Sequence, residues 1–264
     1  MKNMNILDLD DILTWHETYN RFIRNDSFWG AIETALSQKT EESFRKILLG
    51  FEYSIQYVEW PELVSLRHRC NDHFKANYTH VAAYHACRPT DINSYLNRGI
   101  VPANTEELIE EAKILFNNAD EVSKAVKNIE QFYFDHGSGK IGFFMSRTGS
   151  LESGYSHYCC YGSELFKSIA SRLGDWAMQK LSNRGTPTLF RCALPISWLD
   201  EFATFPVAHG YALAPLEQLL VQLRWPKKQQ STIRGAFLLT RSVPKEYILE
   251  AIDMTSFMTE EHRI

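Results

Sequence analysis

The stretch Tyr84-His85-Ala86-Cys87-Arg88 ends an apolar, β-branched run that begins at Tyr78. Such a run predicts a strand, and His85 and Arg88 come where that strand ends. A polar segment follows, and its residues predict a short helix that Gly99 closes. We therefore expect a strand with two polar side chains at its C-terminal end, followed by a helix that covers them.

On either side of this stretch the pattern differs. Residues 5–75 carry apolar side chains at helical spacing, with Pro61 suited to the first turn of the last helix. This pattern stops within residues 71–77, so we predict a helical N-terminal module over residues 1–76 and an α+β domain over residues 77–264. In that domain the predicted strands are Thr79–Ala83, Ile141–Met145, Thr188–Leu194 and Gly235–Thr240, and the predicted helices are Thr105–Phe116, Asp120–Phe134 and Ser163–Leu181.

A second informative stretch is Ser156-His157-Tyr158-Cys159-Cys160-Tyr161-Gly162-Ser163-Glu164. Gly162 breaks the aromatic run, and Ser163 can cap a helix that starts at Glu164. Tyrosines directly before a helix start, behind a strand that ends at Ser146, suit a platform for a flat ring. Packing in the core would explain the same tyrosines equally well.

In this order the stretches resemble the ADP-ribosyltransferase fold of the bacterial His-Tyr-Glu type, over residues 78–254. The late runs around Thr188–Leu194 and Gly235–Thr240 are similar too, the second with its following Val243-Pro244-Lys245-Glu246 turn. The resemblance implies a split, mixed β-sheet domain that acts on NAD as its substrate and needs no metal. It assigns the following residues to NAD: His85 to the nicotinamide ribose, Arg88 to a phosphate oxygen, Tyr158 or Tyr161 to nicotinamide, with Ser146 beside them, and Glu164 to the cationic transition state.

The chain departs from the family at one position that matters. Many members carry a catalytic glutamate at the entrance of a late strand, whereas residues 229–234 here contain no carboxylate. Either Glu164 or Glu217 supplies the charge, or the chain is a non-catalytic nucleotide-binding or protein-interaction module on the same fold. If it is catalytic, the resemblance implies an ADP-ribosyltransferase or NAD glycohydrolase, in the setting of a bacterial toxin, effector or phage-defence component.

The loop before the last predicted strand, residues 223–230, joins Trp225 to Lys227 and Lys228. An aromatic ring among cations suits stacking on a base with phosphate contact, although a solvated surface loop has the same composition. The resemblance places this loop toward the acceptor of ADP-ribose. Whether that acceptor is a protein, a nucleic acid or water stays open.

Composition narrows the class of protein. A formal net charge of −4 argues against a surface coated with positive charge for nucleic acid. Five cysteines without a C-x-x-C pair argue against a disulfide framework, and Cys70-Asn71-Asp72-His73 lacks the second pair that a zinc site needs. We find neither a signal peptide nor the run of roughly 18 apolar residues that spans a membrane. We therefore expect a cytoplasmic protein without a metal or a membrane partner.

Overall fold

The computed structural model describes residues 4–25, 30, 61–117, 119–127, 129, 139–151, 156–201, 207–224 and 235–258. The chain divides into two compact units. The first contains residues 1–82 and 194–235, and the second contains residues 83–193 and 236–264. The boundary predicted between residues 76 and 77 lies inside the first unit, and residues 194–235 group with the N-terminal part of the chain.

The described residues form a mixed, open sheet in the strand order β5-β3-β2-β4-β6. Strand β3 runs antiparallel to both β2 and β5, and β6 runs antiparallel to β4, whereas β1 pairs in parallel with the start of β2. All four predicted strands are present. The strands are β1 (Ile6–Leu7), β2 (His80–Cys87), β3 (Ile141–Phe144), β4 (Thr188–Pro195), β5 (Ala236–Leu239) and β6 (Ile248–Asp253).

Helices make up most of the remaining described residues, so the α+β class predicted from the sequence is confirmed. In chain order they are α1 (His16–Arg24), α2 (Pro61–Asn77), α3 (Ile92–Arg98), α4 (Thr105–Phe116), α5 (Ala119–Lys127), α6 (Arg147–Leu151), α7 (His157–Tyr161), α8 (Glu164–Leu173), α9 (Asp175–Ser182) and α10 (Val207–Arg224). Within the described ranges, none of them is both long and apolar enough to cross a membrane.

In the first unit, α10 packs against α2 and α1. The hydroxyl of Tyr19, on α1, donates to the carbonyl of Ala212 at 3.0 Å, and the hydroxyl of Tyr211 donates to the carbonyl of Ala82 at 2.9 Å. Both rings are fully buried, so these bonds satisfy polar groups in the interior. Much of the predicted helical segment between residues 26 and 60 lies outside the described residues.

One local prediction for the first unit was wrong. Ile6–Leu7 was expected to be helical, but its backbone pairs with His80 and Val81 of β2. A two-residue segment can form hydrogen bonds with the edge of a neighbouring strand, whereas it is too short to form a helix, because the first turn of a helix is costly in conformational entropy. Helix α2 has Pro61 in its first turn, as predicted, and ends at Asn77, within the stretch where the helical pattern was predicted to stop. The side-chain amide of Asn77 donates to the carbonyl of His73 at 2.8 Å.

In the second unit, α8 packs on α4, α5 and α9. Ser163 caps α8 as predicted, accepting a hydrogen bond from the Leu165 amide at 3.2 Å. The single helix predicted over Ser163–Leu181 is instead two, because Gly174 at φ +100° ends α8 and starts α9. Strand β6 closes the sheet beside β4, with Ala251 opposite Phe190.

Candidate functional site

The second unit contains a cavity of about 550 Å³, within the range of about 300–1,000 Å³ that small-molecule sites occupy. It lies where β2 ends, beside β3, the start of β5 and the start of α8. The lining includes five of the residues singled out in the sequence, although the chain separates them widely. These are His85, Arg88, Tyr158, Tyr161 and Glu164.

His85 is fixed by a hydrogen bond between its Nδ1 and the carbonyl oxygen of Gly142, on β3, at 2.9 Å. A carbonyl only accepts, so Nδ1 carries the proton, and Nε2 of the neutral ring is an acceptor. Burial lowers the pKa of His85, and the bond to Gly142 opposes this in part. The cavity is therefore lined by a neutral imidazole, which can accept a hydrogen bond from a hydroxyl group of a ligand.

Glu164 is the first residue of α8, and its Oε2 lies 2.6 Å from Nε2 of His157. The hydrogen bond from His157 lowers the pKa of Glu164, burial opposes that shift, and the charges of His157 and Lys167 add to it. The carboxyl group is therefore ionised at neutral pH. It is also still reachable, since the Glu164 side chain is 43% exposed.

Tyr158 and Tyr161 were equivalent candidates for stacking, and burial separates them. Tyr161 is 6% exposed and belongs to the core, where burial raises its pKa. Tyr158 is half-buried, and its ring centroid lies 4.2 Å from that of His157 and 6.0 Å from that of Phe144. Tyr158 is thus the better placed ring for a flat ligand.

The guanidinium of Arg88 contacts the protein backbone, whereas the sequence predicted that it would bind a phosphate oxygen. Its Nε donates to the carbonyl of Arg184 at 2.7 Å, and its Nη1 donates to the carbonyl of Cys159 at 3.2 Å. Two donors of the guanidinium group therefore tie the end of β2 to α7 and to the turn after α9.

Among the residues that line or adjoin the cavity, three that form ion pairs escaped the sequence analysis. Besides His157, they are Arg184 and Glu111, whose side chains form an ion pair, and the Arg184 guanidinium also lies 5.4 Å from the centroid of the Phe166 ring. The sequence gives no local pattern that would predict the contact between Arg184 and Glu111, because the two residues are far apart in the chain. His157 stands seven residues before Glu164 with a Gly-Ser turn between, a spacing that brings the pair together only once the turn is known.

Other predicted residues lie elsewhere. Ser146 is buried and does not line the cavity; its Oγ accepts a hydrogen bond from the Gly149 amide at 3.0 Å and so caps α6. Glu217 is on α10 in the first unit and is not among the lining residues. The predicted acceptor residues Trp225, Lys227 and Lys228 lie outside the described residues, as do residues 229–234.

The cysteines are buried free thiols. Burial raises the pKa of Cys87 strongly and that of Cys159 to about 12, so neither is a thiolate nucleophile at neutral pH. In the part of the chain that the structure describes, no three His, Cys, Asp or Glu side chains come together as a metal site would require.

Gly185 holds the turn that presents Arg184. It has φ +69°, and a Cβ there would overlap the Pro89 carbonyl, to which the Thr186 amide donates at 3.0 Å. Gly139 has the same φ of +69° but open space around it. We expect Gly185→Ala to lower the free energy of unfolding by about 1–3 kcal/mol more than Gly139→Ala, because only the former adds a clash to the backbone strain. Urea unfolding measures both, and equal losses would show that the turn relaxes.

Comparison of the chain with protein-family models, curated proteins and solved structures finds no match in any of the three. The function of the cavity is therefore inferred from the residues that line it.

Proposed function

We propose that the second unit consumes NAD, as an ADP-ribosyltransferase or an NAD glycohydrolase. The observation that carries the proposal is the meeting of His85, Tyr158 and Glu164 in one cavity of about 550 Å³. Together they supply a hydrogen-bond acceptor, an aromatic face and a fixed negative charge. They complement the ribose hydroxyls of NAD, its flat nicotinamide ring and the positive charge that would develop at C1′.

In the proposed reaction, the bond between the ribose C1′ and the nicotinamide nitrogen breaks, and nicotinamide leaves with the bonding electrons. The ribose then carries positive charge, which the Glu164 carboxylate stabilises. An acceptor oxygen or nitrogen bonds to C1′ and loses its proton to solvent or a nearby base. A fixed anion beside a developing cation is among the largest single contributions to catalysis.

Two neutral side chains are proposed to bind the nicotinamide riboside part of NAD. His85 Nε2 accepts a hydrogen bond from a ribose hydroxyl, and Tyr158 stacks on the nicotinamide ring. Trp225, Lys227 and Lys228 are retained as the proposed contacts of a protein or nucleic-acid acceptor. Water as the acceptor would make the protein a glycohydrolase.

The alternative is a module that binds a nucleotide without consuming it. Two observations favour it: the Glu164 carboxylate already has His157 as a partner, and residues 229–234 contain no carboxylate. The alternative predicts NAD binding without release of nicotinamide.

The test is incubation of the purified chain with NAD, with mass spectrometry that quantifies nicotinamide, ADP-ribose and any modified acceptor. Glu164→Gln is the matched control. Nicotinamide release that depends on Glu164 supports the proposal. Free ADP-ribose formed in equal amount to nicotinamide identifies a glycohydrolase, and an ADP-ribosylated acceptor identifies a transferase. Binding of NAD with no nicotinamide released by the unmutated protein would favour the alternative.

A further inference from the structure

We propose that Arg184, and not Arg88, recognises the phosphate-bearing part of the ligand, and that Glu111 is the internal counter-ion that the phosphate replaces. The choice of a nucleotide as ligand rests on the proposed function. The assignment to Arg184 rests on the contacts within the cavity.

The first step concerns Arg88, whose guanidinium is used inside the protein. Its bonds to the carbonyls of Arg184 and Cys159 are part-buried. Turning this group toward a ligand would leave both carbonyls without that donor, and unsatisfied buried polar groups are costly. Arg88 is thus a positioning residue, and what it positions includes the backbone of Arg184.

The second step concerns the side chain of Arg184. It lies against the Phe166 ring and pairs with Glu111, and all three residues line the cavity. Its planar fork matches a phosphate as well as it matches a carboxylate. The present partner is easily replaced, because the Glu111 side chain is 47% exposed and ion pairs that reach solvent are weak.

The third step is preorganisation. The Arg184 carbonyl is held by Arg88, and Gly185 packs against Pro89 so closely that no other side chain fits. The ring of Phe166 supports the guanidinium from one side. A donor already held in place loses less conformational entropy when an anion binds.

Besides the two arginines and Glu111, the charged side chains of the lining are the carboxylates of Asp91 and Glu164 and the ammonium group of Lys140. Asp91 caps α3 by accepting a hydrogen bond from the Asn93 amide at 3.0 Å, and Glu164 is bound to His157. Lys140 adds positive charge to the same cavity. Each phosphate in the diphosphate of NAD carries one negative charge, as the Glu111 carboxylate does, so the exchange leaves the charge beside Arg184 unchanged.

The experiment is titration calorimetry of the purified chain with ADP and with adenosine, which lacks the phosphates. Arg184→Gln should weaken ADP binding about tenfold or more, since it removes a charge-assisted bidentate contact. Arg184→Lys should fall between, because it keeps the charge but loses the fork. Glu111→Gln should act in the opposite direction and tighten ADP binding about threefold to tenfold, because the competing anion is gone. Adenosine binding should change in none of them.

The matched controls are Arg172→Gln and Glu110→Gln, which remove charges outside the cavity from α8 and α4. The proposal is overturned if ADP does not bind the unmutated protein, if Arg184→Gln changes ADP binding no more than Arg172→Gln, or if Glu111→Gln weakens it. Should Arg184→Gln fail to fold, Glu111→Gln and Arg184→Lys decide. If Arg184→Gln weakens ADP binding but the unmutated protein does not consume NAD, the proposed function is refuted and this inference stands. If Arg184→Gln consumes NAD with an unchanged KM, this inference is refuted and the proposed function stands.

Discussion

Replacing Glu164 by glutamine should lower the rate of NAD consumption by about a hundredfold or more, in line with the loss of one electrostatic stabiliser of a transition state. The amide has nearly the shape of the carboxylate and keeps the helix start capped by Ser163, so the fold should persist. The loss should appear in kcat more than in KM, because the charge acts on the cation that forms as nicotinamide leaves. Steady-state kinetics with detection of nicotinamide measure both constants.

Glu217→Gln is the control, because Glu217 was the other candidate from the sequence and lies on α10 of the first unit. Its kcat should remain that of the unmutated protein. A collapse in Glu217→Gln with activity retained in Glu164→Gln would transfer the catalytic role. If both variants keep full activity, the mechanism is wrong.

The pH profile gives an independent view of the same carboxylate. The hydrogen bond from His157 lowers the pKa of Glu164, so activity should persist as pH falls until that lowered pKa is reached. His157→Ala removes the donor and leaves burial, which raises the pKa. The acidic limb of the profile should therefore move to higher pH. An unmoved limb would mean that another group controls it.

How far the fold was predictable depends on where each element obtains its stability. The strands around Ala83, Phe144 and Phe190 are apolar, β-branched or aromatic runs between turn residues, and such a pattern is local. The helix over Thr105–Phe116 has acidic residues in its first turn and matches its predicted bounds. By contrast, β1 exists because β2 offers it an edge, a tertiary fact that Ile6–Leu7 does not encode.

The site was partly predictable for the same reason. His85 and Glu164 stand at the end of a strand and the start of a helix, positions that local patterns reveal and where functional side chains collect. The roles of Arg88 and Arg184 depend on which carbonyls and rings surround each guanidinium, and these come from segments distant in the chain. Spacing alone therefore could not distinguish Arg184, which we propose to bind a ligand, from Arg88, whose guanidinium is bonded to backbone carbonyls.

A large loss of NAD binding, as distinct from turnover, is expected at His85. The bond from Nδ1 to the Gly142 carbonyl leaves Nε2 as an acceptor in the cavity lining. Removing one hydrogen bond to a buried polar group costs about 1–3 kcal/mol. We therefore expect His85→Ala to weaken NAD binding about fivefold to a hundredfold, measured by calorimetry. His73→Ala should act on stability instead, because His73 stacks on Phe22 with ring centroids 4.2 Å apart, in the first unit.

Two further variants separate the two nitrogens of His85. Asparagine can place its amide group near the position of Nδ1 and keep a donor for the Gly142 carbonyl, but it has no acceptor at the position of Nε2. Glutamine reaches that second position with its oxygen and loses the link to β3. If Nε2 accepts from the ligand, His85→Asn should bind NAD as poorly as His85→Ala, and His85→Gln should retain more affinity than either. The reverse order would show that His85 serves the pairing of β2 with β3 and takes no part in holding the ribose.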